Sequence, residues 1–242
     1  MKLSSEMPAF VKNDKLLQPF RNKIIYSLNK TDETERNLCG DKTLKDFANA
    51  HLYYGLHKTG NSWIYRDKLP GAREVFIVGD FNNWQINDEF KLTKSPTGDF
   101  FGEFQLDKIK HEDKYRLFIR WDDLSDYRVP AFACRVVQDD ATKVFNAQVW
   151  TPDKPYVQKY KTPKRKTDLL IYEAHIGMSS EEQKVSTFEE FRLNILPRIK
   201  KSGYDTLQLM AIQEHPYYGS FGYHVSGFFA VSSRFGTPED LK

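Results

Sequence analysis

The sequence predicts three structural parts in one chain: a short α-helical N-terminus, an all-β sandwich, and a parallel strand-helix-strand unit. Apolar residues recur every three or four positions up to about residue 28, which indicates helix. From about Trp63 they recur at every second position, as in strands with one buried face. After residue 168 the apolar runs become continuous, as in parallel sheets. The expected boundaries are 1–60 for the helical segment, 61–152 for the sandwich, 153–168 for a linker and 169–242 for the α/β part.

Two helices are predicted in the N-terminal segment. Pro19 fixes its own φ and lacks an N–H, so we expect it to start or kink the first helix. The second helix is predicted from Thr43, whose hydroxyl can cap the first turn, until Gly55 ends it. The first helix is indicated by apolar residues at helical spacing: Phe10, Leu16, Leu17, Phe20, Ile24, Ile25 and Leu28.

Short strands separated by turn residues are predicted next. The apolar stretch Val75 to Val78 is compact and precedes turn-rich residues. In "DKYRLFIRW", Tyr115, Leu117 and Ile119 fall on one face of a strand because strand side chains alternate. Further strands fit "FFGEFQL", "FACRVVQD" and "AQVW". Short strands at this spacing are typical of a sandwich of about 100 residues.

The α/β part begins with the continuous apolar run Leu169 to Tyr172, which predicts a strand covered on both faces. The pattern Ser186-Thr187-Phe188-Glu189 predicts a capped helix start, Pro197 a bend, and Gly203 the end of that helix. The stretch Thr206 to Ile212 predicts a second buried strand. A right-handed βαβ unit with a parallel sheet is therefore expected.

The closing segment, Gln213 to Lys242, follows the second predicted strand. Parallel α/β enzymes bind ligands at the carboxyl ends of their strands, so this segment is expected on the functional face. Its last part offers a strong helix start, with Thr237 as the cap and Pro238 at the first helical position. A single βαβ unit cannot cover both faces of its own sheet, so the chain is expected to be truncated at Lys242.

Composition and charge favour a soluble cytoplasmic protein. The net charge is only +3, no apolar run approaches the length of a membrane span, and "MKLSSEMPAF" lacks the features of a signal peptide. The basic run "KYKTPKRKTD" is interpreted as a solvated linker, so neither nucleic acid nor membrane is an expected partner. Cys39 and Cys134 are expected to be buried, inert thiols. No residues have metal-ligand spacing and no nucleotide fingerprint is present, so no metal or cofactor is expected.

Long stretches of the chain resemble a known family. The segments "IYEAHIGMSS", "NILPRIKKSGYDTLQLMAIQEHPYYGSFGYHVSGFFA" and "SSRFGTPEDL" resemble the opening of the catalytic barrel in glucan branching enzymes of glycoside hydrolase family 13. The segments "PGAREVFIVGDFNNWQ" and "RVPAFACRVVQDD" resemble the immunoglobulin-like carbohydrate-binding module, family 48, that precedes such barrels. "FVKNDKLLQPFRNKI" is similar to their helical N-terminus. The implied fold is a helical segment, an immunoglobulin-like β-sandwich and the first βαβ unit of a truncated (β/α)8 TIM barrel.

The resemblance implies a retaining reaction, in which an α-1,4-glucan is cut and transferred to a 6-hydroxyl by an aspartate nucleophile and a glutamate acid/base. Such double displacement needs two carboxylates about 5 Å apart. The family motifs of the types Asp-Val-Val-His-Ser-His and Phe-Arg-Phe-Asp-Gly are absent from this sequence. The catalytic residues are therefore expected beyond Lys242, and the 242 residues alone are expected to be inactive. Glycogen or another α-glucan is the implied partner, without a cofactor, and a monomer is expected for the full-length enzyme.

Three residues of the closing segment are candidate glucan contacts: Tyr223, His215 and Tyr218. Tyr223 matches the family tyrosine that stacks on the sugar beside the scissile bond, with packing among phenylalanines as the alternative. Tyr218 is a candidate for the rim of the cleft. Glu214 and His215 look like a catalytic dyad, but adjacent residues at a strand end point in different directions, so hydrogen bonds that shape the loop are expected. His175 is expected to be mainly structural.

The sandwich holds two further residues of interest. Trp84 is expected to order its own turn, with a sugar platform as the alternative. Lys68 stands where the family usually has a tryptophan two positions before a proline, so it must reach solvent or weaken the core. Two other functions stay open: a non-catalytic glucan-binding module, and the N-terminal part of a glycogen debranching relative with the same module and barrel.

Overall fold

A computed structural model describes residues 7–161, 163–164 and 166–242. The chain divides into two units, of which the first ends at Leu52 and the second is Tyr53–Lys242. None of the helices in the described ranges is both long enough and apolar enough to cross a membrane. The predicted basic linker includes Thr162 and Arg165, which lie outside the described residues.

Within residues 7–52, the described part of the first unit, the α-helices are α1 (Ala9–Asn13), α2 (Arg21–Cys39) and α3 (Leu44–Phe47). Pro19 lies in a short 3-10 turn directly before α2, so the predicted break is confirmed. The prediction from Thr43 was right about the cap, because its hydroxyl accepts the Asp46 N–H at 3.3 Å, but wrong about the length. The helix ends at Phe47, and Gly55 opens a strand instead of ending a helix.

The second unit begins with two antiparallel sheets. The strands of the first sheet are, in spatial order, β1 (Gly55–Thr59), β2 (Ser62–Lys68), β5 (Asp99–Gln105) and β4 (Thr93–Lys94). Those of the second sheet are β3 (Glu74–Gly79), β6 (Lys114–Arg120), β9 (Phe145–Gln148) and β8 (Val136–Gln138), with β7 (Ser125–Arg128) also paired to β6.

One apolar core lies between the two sheets, as the alternating sequence pattern predicts. Trp63 and Tyr65 of the first sheet pack into the same core as Ile77 and Leu117 of the second. Burying each such side chain stabilises the fold by about 1.5–3 kcal/mol. Lys68 lies at the end of β2 with its side chain exposed, which is the solvent-reaching alternative. The prediction of two buried thiols is wrong for one of them: Cys39 is buried, whereas Cys134 is exposed.

The α/β part has one parallel strand pair. Strand β10 (Ile171–His175) pairs with β11 (Thr206–Met210), and the chain between them contains α4 (Phe188–Glu190), a π-helical turn (Phe191–Ile195) and α5 (Leu196–Lys201). A short antiparallel pair, β12 (Gln213–Glu214) and β13 (Gly227–Val231), and the helix α6 (Pro238–Leu241) complete the chain. The predicted strand-helix-strand order and the parallel pairing are confirmed.

Three details of this part differ from prediction or sharpen it. Residues 169–172 are exposed instead of covered on both faces, because β10 and β11 form a two-stranded sheet within the described residues. The helix cap is Thr187, which pairs with Glu190, one position later than predicted. Pro197 cannot donate to the preceding turn, and a π-helical turn precedes it, so a local distortion at the predicted bend is present.

The sandwich and the α/β part share contacts within the second unit. Ala230 of β13 packs into the sandwich core. The guanidinium of Arg135, just before β8, donates to the Gly236 carbonyl at 2.6 Å. The indole N–H of Trp150 donates to Glu239 of α6 at 3.3 Å. These contacts fix the closing segment against the sandwich.

Candidate functional site

The candidate site lies where the parallel strands β10 and β11 end. His175 and Met210 are partners in the strand register, so both sit at the carboxyl edge of the sheet. The backbone N–H of Met178 donates to His175 Nδ1 at 3.2 Å, which leaves the proton on Nε2. That Nε2–H donates to the Phe221 carbonyl at 2.8 Å. His175 therefore ties the closing loop to the strand end, in agreement with the structural role predicted for it.

Tyr223 and Tyr218 lie on this loop with different exposures. Tyr223 is 70% exposed, and its hydroxyl meets the Met210 sulfur at 3.6 Å. Tyr218 is half-buried, its hydroxyl meets the Met178 sulfur at 3.6 Å, and burial raises its pKa above the ordinary value. The thioether contacts orient both rings only weakly, because methionine sulfur is a weak acceptor. The face of Tyr223 is thus open at the end of the sheet.

Glu214 and His215 are both completely buried. The Glu214 carboxylate accepts hydrogen bonds from the Ser233 N–H at 2.6 Å and from Arg234 at 3.2 Å. Arg234 also donates to the carbonyls of His215 and Pro216, at 2.5 and 3.1 Å. Glu214 and Arg234 thus join the two ends of the loop. The structure favours the loop-shaping role for the pair and leaves His215 without a surface that a glucan could touch.

The backbone of the loop adopts conformations that side chains rarely accept. Phe221 and Ala211 have φ of 53° and 51°, and Gly222 has φ of 84°. A Cβ on Gly222 would lie 2.6 Å from the Cβ of Ala211, so only glycine fits there. Backbone conformations of this kind cluster at functional sites in proteins, so they support this loop as a candidate site.

The loop offers side chains that could contact a ligand, but it offers no group for proton transfer. Glu214 is the only carboxylate from Ala211 to Gly236, and its oxygens are occupied by structural hydrogen bonds. Among the described residues, no group of three or more histidine, cysteine, aspartate or glutamate side chains could hold a metal ion. The sequence predicted tyrosines on this loop but not the residues that hold the loop, because no local sequence pattern marks Met210 or Arg234. The exposed aromatic residues of the closing segment are Tyr217, Phe221, Tyr223, Phe228 and Phe229.

A second candidate site is a depression of about 310 Å³ beside Trp84 on the sandwich. Asn83 and Trp84 both have left-handed backbone, and the indole N–H of Trp84 donates to Asp80 at 2.9 Å. Trp84 therefore orders its own turn, as predicted, while its half-buried ring lines the depression. Arg116 lines it too, and its Nε is buried without a partner among the described residues. Hydrogen bonds from the Thr142 backbone, the Thr142 hydroxyl and Lys114 lower the pKa of Asp139, another lining residue, to about 2.

Comparison with known proteins gives a consistent set of relatives. The 1,4-alpha-glucan-branching enzyme of Dictyostelium discoideum is 39% identical over 96% of this chain and 35% of its own length. That of Yarrowia lipolytica is 41% identical over 96% of this chain and 35% of its own length. That of Candida glabrata is 43% identical over 84% of this chain and 31% of its own length.

Over most of its length the chain is similar to 1,4-α-glucan-branching enzymes. It spans about a third of the length of these branching enzymes. No family model matches the chain.

Solved structures share the fold of this chain. The catalytic module of the glycogen-degrading pneumococcal virulence factor SpuA matches with a TM-score of 0.62 at 20% identity, over 78% of this chain and 34% of that chain. The pullulanase SAP of Group B Streptococcus matches with a TM-score of 0.60 at 18% identity, over 86% of this chain and 31% of that chain. At these identities the likeness shows the fold alone.

Proposed function

We propose that this chain is the N-terminal part of a 1,4-α-glucan branching enzyme of glycogen biosynthesis, a retaining transferase that cuts an α-1,4-glucan and passes it to a 6-hydroxyl. The observation that supports this most strongly is the 39% identity over 96% of the chain with the Dictyostelium discoideum enzyme. In this proposal residues 1–60 are a helical segment, 61–152 an immunoglobulin-like module of family 48, 153–168 a linker, and 169–242 the opening of a (β/α)8 barrel. The protein acts in the cytoplasm as a monomer.

Tyr223 stacks on the glucan in this proposal, and Tyr218 borders it. The open ring of Tyr223 at the strand ends supports this role, because an aromatic face suits the apolar face of a pyranose. His215 acts through the loop, since it is buried and its Nδ1 lies 3.0 Å from the Gln213 carbonyl. The nucleophile and the acid/base come from outside the 242 residues, so the chain alone makes no branches.

A chimera tests the reaction. This chain would replace the matched region of the Dictyostelium discoideum enzyme, and α-1,6 linkages would be counted by proton NMR after incubation with amylose. We expect the chimera to form new branches, and Tyr223→Ala to lower kcat/KM about tenfold while Tyr223→Phe, which keeps the ring, changes it little. A folded chimera that forms no new α-1,6 linkages would count against the proposal.

The chain by itself serves as the second sample in the same assay. We expect the purified 242 residues to form no α-1,6 linkage, because Glu214 is buried in structural hydrogen bonds and the catalytic motifs are absent. New linkages from the chain alone would contradict the assignment of catalysis to residues outside it.

The depression beside Trp84 supports a second function, glucan binding by the sandwich. It combines an indole ring with the side chains of Arg116 and of the ionised Asp139, which together match the apolar faces and hydroxyls of a sugar. We expect the chain to co-sediment with glycogen and Trp84→Ala to reduce the bound fraction severalfold. Tyr160→Ala, which removes an exposed ring elsewhere, is the control. Equal binding by the three proteins would exclude this site.

A further inference from the structure

A separate depression of about 410 Å³ lies on the outer face of the first sheet. Arg66 of β2 and Phe101 of β5 are cross-strand partners, so their side chains share one face. That face is the outer one, because Tyr65 and Asp67, on either side of Arg66, are buried on the opposite face. The lining residues are Tyr53, Arg66, Ser95, Thr97, Asp99, Phe100 and Phe101.

The guanidinium of Arg66 is held in place without using its hydrogen-bond donors. It lies 4.5 Å from the ring centroid of Tyr53 and 5.6 Å from that of Phe101, within the range of cation-π contact. Within the described part of the chain, Arg66 has neither a hydrogen-bond acceptor nor a carboxylate partner. A guanidinium has five N–H donors in a fixed plane. Arg66 therefore presents oriented donors at the edge of two aromatic rings.

The opposite wall of the depression provides acceptors. Asp99 receives the Tyr54 hydroxyl at 2.9 Å and the Thr97 hydroxyl at 2.6 Å, and these bonds, with Thr97 contributing most, hold its pKa below the ordinary value. The carboxylate is thus ionised at neutral pH and fixed in orientation. The hydroxyl of Ser95 lies 2.8 Å from that of Thr97 and extends the polar edge.

This combination matches a neutral polyol better than an anion. An anionic ligand would be attracted by Arg66 but repelled by the ionised Asp99 in the same depression. A sugar ring satisfies both walls, because its hydroxyls donate to a carboxylate and accept from a guanidinium. Its apolar face suits the rings of Tyr53 and Phe101, which are 52% and 41% exposed.

We infer that this depression is a second carbohydrate-binding site of the sandwich, which takes a short α-1,4-glucan through Arg66, Asp99 and the rings of Tyr53 and Phe101. It lies on the first sheet, whereas the depression beside Trp84 is lined by residues of the second sheet and its loops. The choice of an α-glucan as the sugar rests on the proposed function. The presence of a sugar site rests on the geometry of the depression.

Titration of the 242-residue chain with maltoheptaose, followed by ¹H–¹⁵N NMR, reports on the two depressions separately. The amides of Thr97 and Gly98 report on the depression at Arg66, and the indole N–H of Trp84 reports on the other. We expect maltoheptaose to shift both groups of signals. Arg66→Met keeps the stem and removes the donors, and should weaken binding at Thr97 and Gly98 about tenfold while leaving the Trp84 response unchanged.

One further variant and one further ligand complete the experiment. Tyr53→Ala removes an exposed ring and should weaken the same signals, which gives an independent result if Arg66→Met does not fold. A Trp84 response without a response at Thr97 and Gly98, or an unchanged affinity in both variants, would overturn the inference and leave the proposed function intact. An equal response to cellohexaose would overturn the α-glucan assignment. No response at either site would overturn this inference together with glucan binding by the sandwich.

Discussion

At the scale of single residues, Asp67 makes the stability of the sandwich depend on pH. Its carboxylate is buried inside the first sheet, where it accepts the Tyr65 hydroxyl and the Lys68 N–H, each at 2.8 Å. Burial raises its pKa above the ordinary value in spite of these two bonds, because leaving water disfavours the charged form. Between the unfolded pKa of about 3.9 and the higher folded pKa, the folded protein binds more protons than the unfolded protein.

Asp67→Asn tests this coupling. The free energy of unfolding contributed by Asp67 is fully present below about pH 3.9 and falls as the pH rises through the folded pKa. Asp67→Asn should remove that fall, which urea titrations followed by tryptophan fluorescence at several pH values would measure. Asp139→Asn is a control of opposite sign: the pKa of Asp139 is lowered to about 2, so its contribution is present above about pH 3.9 and lost towards pH 2. Identical pH profiles for Asp67→Asn and the unmodified chain would contradict the argument.

At the scale of the loop, Gly222 fixes the position of Tyr223. Gly222→Ala places a Cβ against Ala211 in a left-handed conformation, and should destabilise the fold by about 2–4 kcal/mol. Gly203→Ala is the matched control, because Gly203 has φ of 94° but open space around its Cα. It should cost about 1 kcal/mol. Equal shifts in Tm for the two variants would mean that the close approach of Gly222 to Ala211 does not affect stability.

The sequence predicted the elements better than their limits. Alternation located the strands of the sandwich, since one buried face leaves a period of two. The hairpin that begins at Gly55 was missed because β1 is short and only partly buried, so its pattern is weak. The helix cap was placed one residue early because Ser186 and Thr187 both satisfy the capping pattern, and only the backbone register of α4 selects Thr187.

The sequence predicted where the candidate site lies, but not the contacts that hold its loop in position. The end of a parallel strand located the loop, and the resemblance selected Tyr223. The hydrogen bond from Arg234 to the buried Glu214 joins residues that are 20 positions apart, so no local sequence pattern predicts it. The exposure of residues 169–172 could not be predicted from composition either. A strand covered on both faces and a strand left uncovered can have the same apolar sequence.

At the scale of the whole second unit, the sandwich and the α/β part are joined by few but specific contacts. Arg135 is buried, lies 5.0 Å from the ring centroid of Trp150, and donates to the Gly236 carbonyl. Glu239 of α6 accepts from Trp150 and from the backbone N–H of Tyr156, so the start of that helix is bound to the chain that leaves the sandwich. Such contacts predict that the two parts unfold together.

Arg135→Ala should separate the two parts. It removes a charged hydrogen bond and a stacked side chain, and should destabilise the α/β part by about 2–4 kcal/mol while leaving the sandwich core intact. Calorimetry should then show two transitions in place of one, and limited proteolysis should cut earlier after about Lys159. Arg128→Ala is the control, because Arg128 also lies over a tryptophan, at 5.8 Å from the Trp121 ring, but is exposed on the sandwich. If both variants keep a single transition and the same cleavage rate, Arg135 does not hold the sandwich to the α/β part, and the contacts of Ala230 and Glu239 are sufficient to couple them.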